Sequence, residues 1–389
     1  MNNLECGGAE KALVSLLNEM DYERYEVDLL LFSQKGMFLK QLPSNVRLLP
    51  APSAFQFFDT PIKQVFLHAV KRFDFSILWA RFQMKKILQS EKVPAVKEQR
   101  IWPILRSVLP KNKGSYDAVI AYLQKTPIYY AVDKVDAKVK IGFIHNDYTH
   151  LQLNATIDRP YFDQLDVIAS ISESCVAILK DVFPEFAQKI KLKYNIVSKA
   201  MIQRLADEEV PEEFSGNTIV SVGRLNYQKA FDEAIVSSAL LKQKGIAHRW
   251  YVLGEGSDRP ELERKIKEYG VTEEFILLGL RENPYPYIKK ATVYAQPSRF
   301  EGKSIAIDEA KVLLKPIVVT NFPSAKDQII DGVTGIIADL NPEAVASQLE
   351  RLLMNPDLRS QLSENLKSEN VVGKEELVNL YHWIDKENL

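Results

Sequence analysis

Two basic and two acidic side chains stand at spacings that suit a phosphate-linked sugar. The run SVGRLNYQKAFDEA carries Arg224 and Lys229, and the run SRFEGKSIAIDEAK carries Glu301 and Glu309. Breaking a glycosyl phosphate bond leaves positive charge on the sugar ring and negative charge on the departing diphosphate. Fixed cations at the phosphates and carboxylates at the sugars are what that chemistry needs. No Asp-x-Asp occurs in the chain, so a metal clamp of that type is not indicated and the cations must offset the leaving group.

The elements around these residues put them in the right kind of place. The apolar run Thr218 to Val222 reads as a buried parallel strand, Gly223 ends it, and Phe231 to Lys244 has helical periodicity. Arg224 and Lys229 therefore belong to a strand-to-helix loop, where unpaired N–H groups and the helix dipole favour an anion. In open α/β sheets ligands bind beyond the carboxyl ends of strands, which is where this loop would lie. The alternative is a pair of solvated loop charges. A second strand, Val293 to Gln296, breaks at Pro297, which leaves Glu301 in a loop and Glu309 in a helix starting near Ser304. Gly302, Lys303 and Ser304 offer backbone N–H groups at that helix start for phosphate or sugar oxygens. Five residues of helix set Glu309 roughly 8 Å along the axis from Ser304, so one carboxylate could face a hexose and the other a ribose. A solvated helix-face carboxylate is the alternative for Glu309, and it is the expected state of Asp308.

The order of these motifs resembles the family 4 retaining glycosyltransferases, whose fold is GT-B, two Rossmann-like doubly wound α/β domains facing a cleft. The motifs in order are Gly7-Gly8-Ala9-Glu10, His145, Gly223-Arg224 with Lys229, Gly254-Glu255-Gly256, Gly279, and Glu301 to Glu309. The resemblance is strongest from about residue 217 to 353 and weaker before Leu123. It implies transfer of a sugar from a nucleotide-sugar donor with retention of anomeric configuration. It also implies roles. Arg224, Lys229, Glu301 and His145 would be catalytic, with His145 near the sugar at the end of the strand Val139 to Ile144. Gly7, Gly8, Gly223, Glu255, Leu280, Gly302, Lys303, Ser304 and Glu309 would bind the donor, with the base held near Glu255, Gly279, Leu280 and Arg281. From the residues alone, Gly7-Gly8 serves equally as a helix entry and Gly254-Glu255-Gly256 as a tight turn. Retention without a clearly placed nucleophile suggests front-face attack. Family members begin with an apolar strand leading into the glycine turn. Here Gly7-Gly8 comes within a few residues of Met1, so the first central strand of the amino-terminal domain is expected to be absent, with its two neighbours exposed.

Size and composition set the frame. A chain of 389 residues allows two domains. At 46% hydrophobic and 26% charged it is an ordinary globular sequence. There is no run of about 18 apolar residues and no charged-then-apolar leader pattern, so a cytoplasmic protein is expected. Two cysteines, Cys6 and Cys175, are too few for a disulfide framework or thiolate metal site, and no metal or resident cofactor is expected.

The net charge of −1 hides an asymmetry: residues 1–195 hold 26 basic against 21 acidic residues, and residues 196–389 hold 24 against 30. Residues 61–113 concentrate the basic excess, interleaved with aromatics such as Phe66, Phe73, Trp79, Phe82 and Trp102. That suits the inner face of the cell membrane or another anionic partner. The stripe Ile62, Phe66, Ala69, Phe73 and Ile77 suits a soluble core equally well. No nucleic-acid recognition motif accompanies the charge.

Alternating patterns divide the chain into an acceptor-binding Rossmann-like domain (1–199), a nucleotide-sugar-binding Rossmann-like domain (200–365) and a terminal helix (366–389). By the resemblance, that helix crosses back to the first domain. Residues 200–217 read as the linker. The expectation is a metal-independent, retaining hexosyltransferase of cell-surface polysaccharide synthesis. It would use a UDP-hexose or UDP-N-acetylhexosamine and a lipid-linked saccharide acceptor. The rivals are a nucleotide-sugar epimerase of the same fold, which needs only the donor site, and a non-catalytic donor-binding partner of another transferase.

Overall fold

The computed structural model describes residues 1–5, 7–52, 55, 76–212, 214–369 and 375–386. The chain forms two compact units, residues 1–194 with 374–389, and residues 195–373.

In the first unit the strands are β1 (Val27–Leu30), β2 (Val46–Leu49), β3 (Ser115–Ala121), β4 (Asp136–Ile144), β5 (Val167–Ser170) and β6 (Ile190–Leu192). Among the described residues they make two parallel sheets, β1-β2 and β3-β4-β5-β6. β5 and the end of β4, residues 141–144, are buried on both sides, as a strand covered by helices must be. Trp102, from the helix Pro94–Val108, and Tyr129, from the helix Thr126–Lys134, are fully buried against that sheet's core.

The terminal helix Glu375–Ile384 belongs to this unit. Leu377 and Leu380 are buried, Tyr381 stacks on Tyr25 at 4.7 Å, and the Tyr381 hydroxyl accepts the Asp21 N–H at 2.8 Å. Arg24 and the Tyr25 hydroxyl both reach Asp385, at 2.5 and 2.8 Å.

Among the described residues the second unit is built on one six-stranded parallel sheet. Its strands are β7 (Thr218–Val222), β8 (Arg249–Leu253), β9 (Phe275–Gly279), β10 (Val293–Gln296), β11 (Ile317–Thr320) and β12 (Ile336–Ala338), in the order β12-β11-β10-β7-β8-β9. Alternation along the strands builds two cores. Ile219, Trp250, Val252, Val293 and Val318 face the helices Phe231–Gln243 and Pro342–Met354, whereas Val220, Tyr251, Tyr294 and Val319 face the helix Ile305–Val312. This is the doubly wound order, and its direction reverses between β7 and β10.

The division falls at Tyr194/Asn195 rather than at residue 199, and the second unit runs on to 373 rather than 365. The reason is packing. The helix Lys199–Leu205, read as linker, buries Ile202 in the second unit, and Asn283 holds the Leu205 carbonyl at 2.7 Å. The helix Pro356–Ser368 likewise buries Leu362 and Leu366. No helix among the described residues is long and apolar enough to cross a membrane.

Candidate active site

Four loops leave the carboxyl ends of β7, β8, β9 and β10, neighbours in the sheet, and glycines let their backbones touch. Gly223 donates its N–H to the Leu253 carbonyl at 3.0 Å, and Gly254 donates to the Gly279 carbonyl at 2.9 Å. Leu225 N–H donates to the Glu255 carbonyl at 3.0 Å. A Cβ on Gly254 would sit 1.9 Å from the Gly223 carbonyl oxygen, and one on Gly256 would sit 2.2 Å from the Leu225 oxygen. The Gly-Glu-Gly run is therefore demanded by backbone contact with the Arg224 loop. Glu255 itself points outward and forks with Arg259, both bonds at 2.8 Å. Leu280 is exposed, while Arg281 is held by Glu212 at 2.8 Å and by the Leu278 carbonyl at 2.7 Å.

Within the β7 loop the two cations have different fates. Arg224 is exposed. Lys229 lies on the short 3₁₀ turn Tyr227–Lys229, whose start is capped by the Asn226 side chain accepting the Lys229 N–H at 3.3 Å. Ala230 then turns through the left-handed region, φ 53°, and the long helix begins at Phe231. This kink aims Lys229 across to the β10 loop, where its Nζ meets Glu301 Oε1 at 2.5 Å.

Glu301 is buried and holds more than the lysine. Its Oε1 also accepts from Ser298 Oγ at 2.6 Å and Gln296 Nε2 at 3.3 Å, and its Oε2 accepts from Gln228 Nε2 at 3.1 Å. Four donors match the roughly four lone-pair sites of a carboxylate. Arg299 adds a second tie between the same loops. Its N–H donates to the Gln228 carbonyl at 2.8 Å, its guanidinium forks onto Asp232 at 2.9 and 2.8 Å, and it lies over the Tyr227 ring at 4.3 Å. Gln228, Gln296, Ser298 and Arg299 carried no signal in the sequence beyond their nearness to motif residues.

The helix Ile305–Val312 is buried on every residue. Glu309 is 1% exposed, and its Oε1 accepts from the Tyr285 hydroxyl at 3.1 Å. Two expectations are corrected here. Asp308 is not solvated: it is 3% exposed, 3.7 Å from the buried Lys303 ammonium, and accepts from Gln328 at 3.0 Å. The Ser304 N–H, expected to await a ligand oxygen, donates to Gln328 Oε1 at 2.8 Å while Gln328 donates back to the Ser304 carbonyl at 2.9 Å. A helix start buried against β11 must satisfy its amides internally, and a glutamine 24 positions away does so.

His145, Gly7 and Gly8 belong to the first unit. His145 follows β4, stacks on Phe143 at 5.6 Å and lies tilted against Tyr122 at 4.8 Å. Burial of its ring nitrogens pushes the imidazolium pKa down to about 3, with a backbone contact from Tyr122 offsetting only part. The ring is neutral across the physiological range. Gly7 caps the helix Gly8–Glu19, its carbonyl accepting the Lys11 N–H at 3.1 Å.

Comparison with known proteins gives a consistent picture. Residues 204–369 match the family described as glycosyl transferases group 1. A 151-residue stretch is 30% identical to an alpha-D-kanosaminyltransferase of Streptomyces kanamyceticus, covering 38% of this chain and 39% of that protein. The chain is 25% identical over 383 residues, 94% of its length and 90% of the relative's, to the Campylobacter jejuni GalNAc-alpha-(1->4)-GalNAc-alpha-(1->3)-diNAcBac-PP-undecaprenol alpha-1,4-N-acetyl-D-galactosaminyltransferase. Anabaena HepE, solved in complex with UDP and glucose, superposes with a TM-score of 0.67 at 14% identity, covering 99% of this chain and 98% of that one. The likeness shows the fold: GT-B, with two Rossmann-like α/β units.

Proposed function

We propose, from the premise that this chain belongs through residues 204–369 to the group 1 glycosyl transferases, that it moves a hexosyl or N-acetylhexosaminyl group from a UDP-sugar to a lipid-linked saccharide during synthesis of a cell-surface polysaccharide. The observation that carries this reading is the Lys229–Glu301 pair at the point where strand order reverses. Cation and carboxylate meet there, beside an exposed Arg224, at the ends of four parallel strands.

In this reading the second unit holds the donor. Arg224 and Lys229 take the diphosphate, Lys229 using the donors its ammonium keeps beyond Glu301. Glu301 orients Lys229 and exchanges the Gln228 contact, among its longer bonds, for a sugar hydroxyl. Glu309 receives ribose hydroxyls at the buried end. The acceptor oxygen bonds to the anomeric carbon on the face from which the phosphate oxygen departs, and the acceptor proton passes to that oxygen. His145 contributes as a neutral ring that orients, since burial keeps it from carrying the imidazolium charge. Catalysis by these side chains alone, without a metal, is part of the proposal.

The Campylobacter relative's undecaprenol-linked substrate supports a lipid-linked acceptor. The helix Ser76–Ser90 supports membrane contact, because only Ala80 is buried while Trp79 is 61% and Phe82 49% exposed, with Lys86 over the Phe82 ring at 4.6 Å. Residues 61–75 of the basic stretch, with most of its apolar stripe, lie outside the described residues.

The deciding experiment supplies UDP-sugars with and without an undecaprenyl-diphosphate saccharide and follows both products. Transfer with the anomeric configuration kept supports the reading. An epimerised UDP-sugar formed without acceptor would replace it. A crystal soaked with UDP should show the diphosphate at Arg224 and Lys229; density elsewhere removes the assignment.

A further inference from the structure

Tyr227 stands between Arg224 and Lys229 in the β7 loop and is 68% exposed, above the 61% of Trp79. A lone exposed aromatic is ordinary on a protein surface. This one differs in being held. Arg299 lies over one face of its ring at 4.3 Å and donates to its backbone carbonyl at 2.8 Å. Arg299 is itself fixed, because Asp232 accepts from both arms of the guanidinium at 2.9 and 2.8 Å and Glu233 accepts a further bond at 3.1 Å. Asp232 and Glu233 belong to the first turn of the helix Phe231–Gln243. The β7 loop, the β10 loop and that helix therefore converge on one exposed ring.

Such a clamp does nothing for a ring that faces only water. It does serve a ligand, since a side chain ordered in advance loses little further rotamer freedom on binding. Tyrosine suits the task, with a large rigid face and few torsions to fix. The face opposite Arg299 is the one left to solvent.

The neighbours indicate what that face would meet. Strand order is β10-β7-β8-β9, and the ties of Arg299 and Gln228 join Tyr227 to the β10 loop, on the side of β7 away from β8 and β9. Glu301, which accepts from the adjacent Gln228, is the carboxylate assigned to the sugar, whereas the base belongs to the loops after β8 and β9. The ring thus stands on the sugar side of the diphosphate. A pyranose offers C–H bonds on its faces, made partly positive by the neighbouring oxygens, and these pair with the negative face of an aromatic ring.

We propose that Tyr227 is a stacking platform for a hexopyranose, either the sugar of the UDP-sugar or the terminal sugar of the acceptor, which it holds flat beside Lys229 and Glu301. This rests on the transferase reading above.

The test compares the parent with Tyr227→Phe and Tyr227→Leu. Calorimetry measures binding of UDP, UDP-glucose and UDP-N-acetylgalactosamine, and steady-state transfer to an undecaprenyl-diphosphate saccharide gives KM for each substrate. Stacking needs no hydroxyl, so Tyr227→Phe should stay within about twofold of the parent. Tyr227→Leu should lose about tenfold in one of two places. A loss in UDP-sugar binding assigns the platform to the donor sugar, and a rise in KM for the saccharide alone assigns it to the acceptor. UDP binding and the thermal midpoint should not move in either variant. Parent-like behaviour of Tyr227→Leu overturns the proposal. So does an equal loss in the Phe and Leu variants, or weaker binding of UDP itself, which would mean that the ring merely supports the loop. If the parent transfers sugar and Tyr227→Leu matches it, only the platform falls; if the parent neither binds UDP-sugar nor transfers, the transferase reading fails and the platform with it.

Discussion

Lys229 and Glu301, 72 positions apart, meet at 2.5 Å with side chains 15% and 7% exposed. A pair this enclosed cannot be edited from one side. Lys229→Met leaves a carboxylate with only neutral donors and should cost about 3 kcal/mol of stability. The double variant Lys229→Met/Glu301→Gln removes both charges and should regain most of that in chemical denaturation, while transfer stays at least 100-fold down. Equal stability of the single and double variants would show that the ion pair contributes little.

Arg224 gives the complementary result. Its side chain is exposed, so Arg224→Ala should move stability by less than about 0.5 kcal/mol. Turnover should fall by about 10²- to 10³-fold if it stabilises the leaving diphosphate. Steady-state rates at saturating UDP-sugar check this, and an unchanged kcat would take Arg224 out of the cradle.

Gly254→Ala should be far more damaging than Gly245→Ala. At Gly245, φ is +73° and open space surrounds the new methyl, so the left-handed backbone alone is charged, about 1 kcal/mol. At Gly254 the methyl would stand 1.9 Å from a backbone oxygen, which forces the β7 and β8 loops apart. A loss above about 3 kcal/mol, with weakened UDP binding, is expected in thermal unfolding and calorimetry. Similar losses for the two variants would mean that these loops are not in register.

His145 makes the first unit sensitive to acid. Its folded pKa, about 3, lies below the ordinary value of 6.5. Between those values the unfolded chain binds the extra proton, so this contribution is whole above pH 6.5 and erodes as pH falls toward 3. His145→Gln should flatten that part of the stability profile between pH 6.5 and 4, and leave the profile above pH 7 parallel to the parent's. Identical slopes in both proteins below pH 6 would mean that the ring is protonated freely.

Membrane contact predicts a graded loss. Replacing Lys85 and Lys86 with Ala should weaken binding to phosphatidylglycerol vesicles about fivefold per residue, and Trp79→Ala should weaken it further. Co-sedimentation at low and high salt reads both effects. Binding that ignores salt and both lysines would assign the exposed aromatics another task.

The residue order alone was enough for β7 and β10 and for the loops that follow them. Both lie where largely apolar runs end, in Gly223 and Pro297, because a strand covered on both faces takes few polar residues. Arg224, Lys229, Glu301 and Glu309 stood out because charges just past such runs occupy a known kind of place. What tertiary structure decided is who meets whom. Asp308 and Glu309 are adjacent in a helix, and nothing local says that both are buried. Gln328 reaches Ser304 only because β11 lies beside β10. Gly254 looked like a turn glycine until β8 was set against β7, which makes it a point of backbone contact. Periodicity along a chain reports what each element must bury, whereas partners across a sheet follow from strand order, which no local pattern encodes.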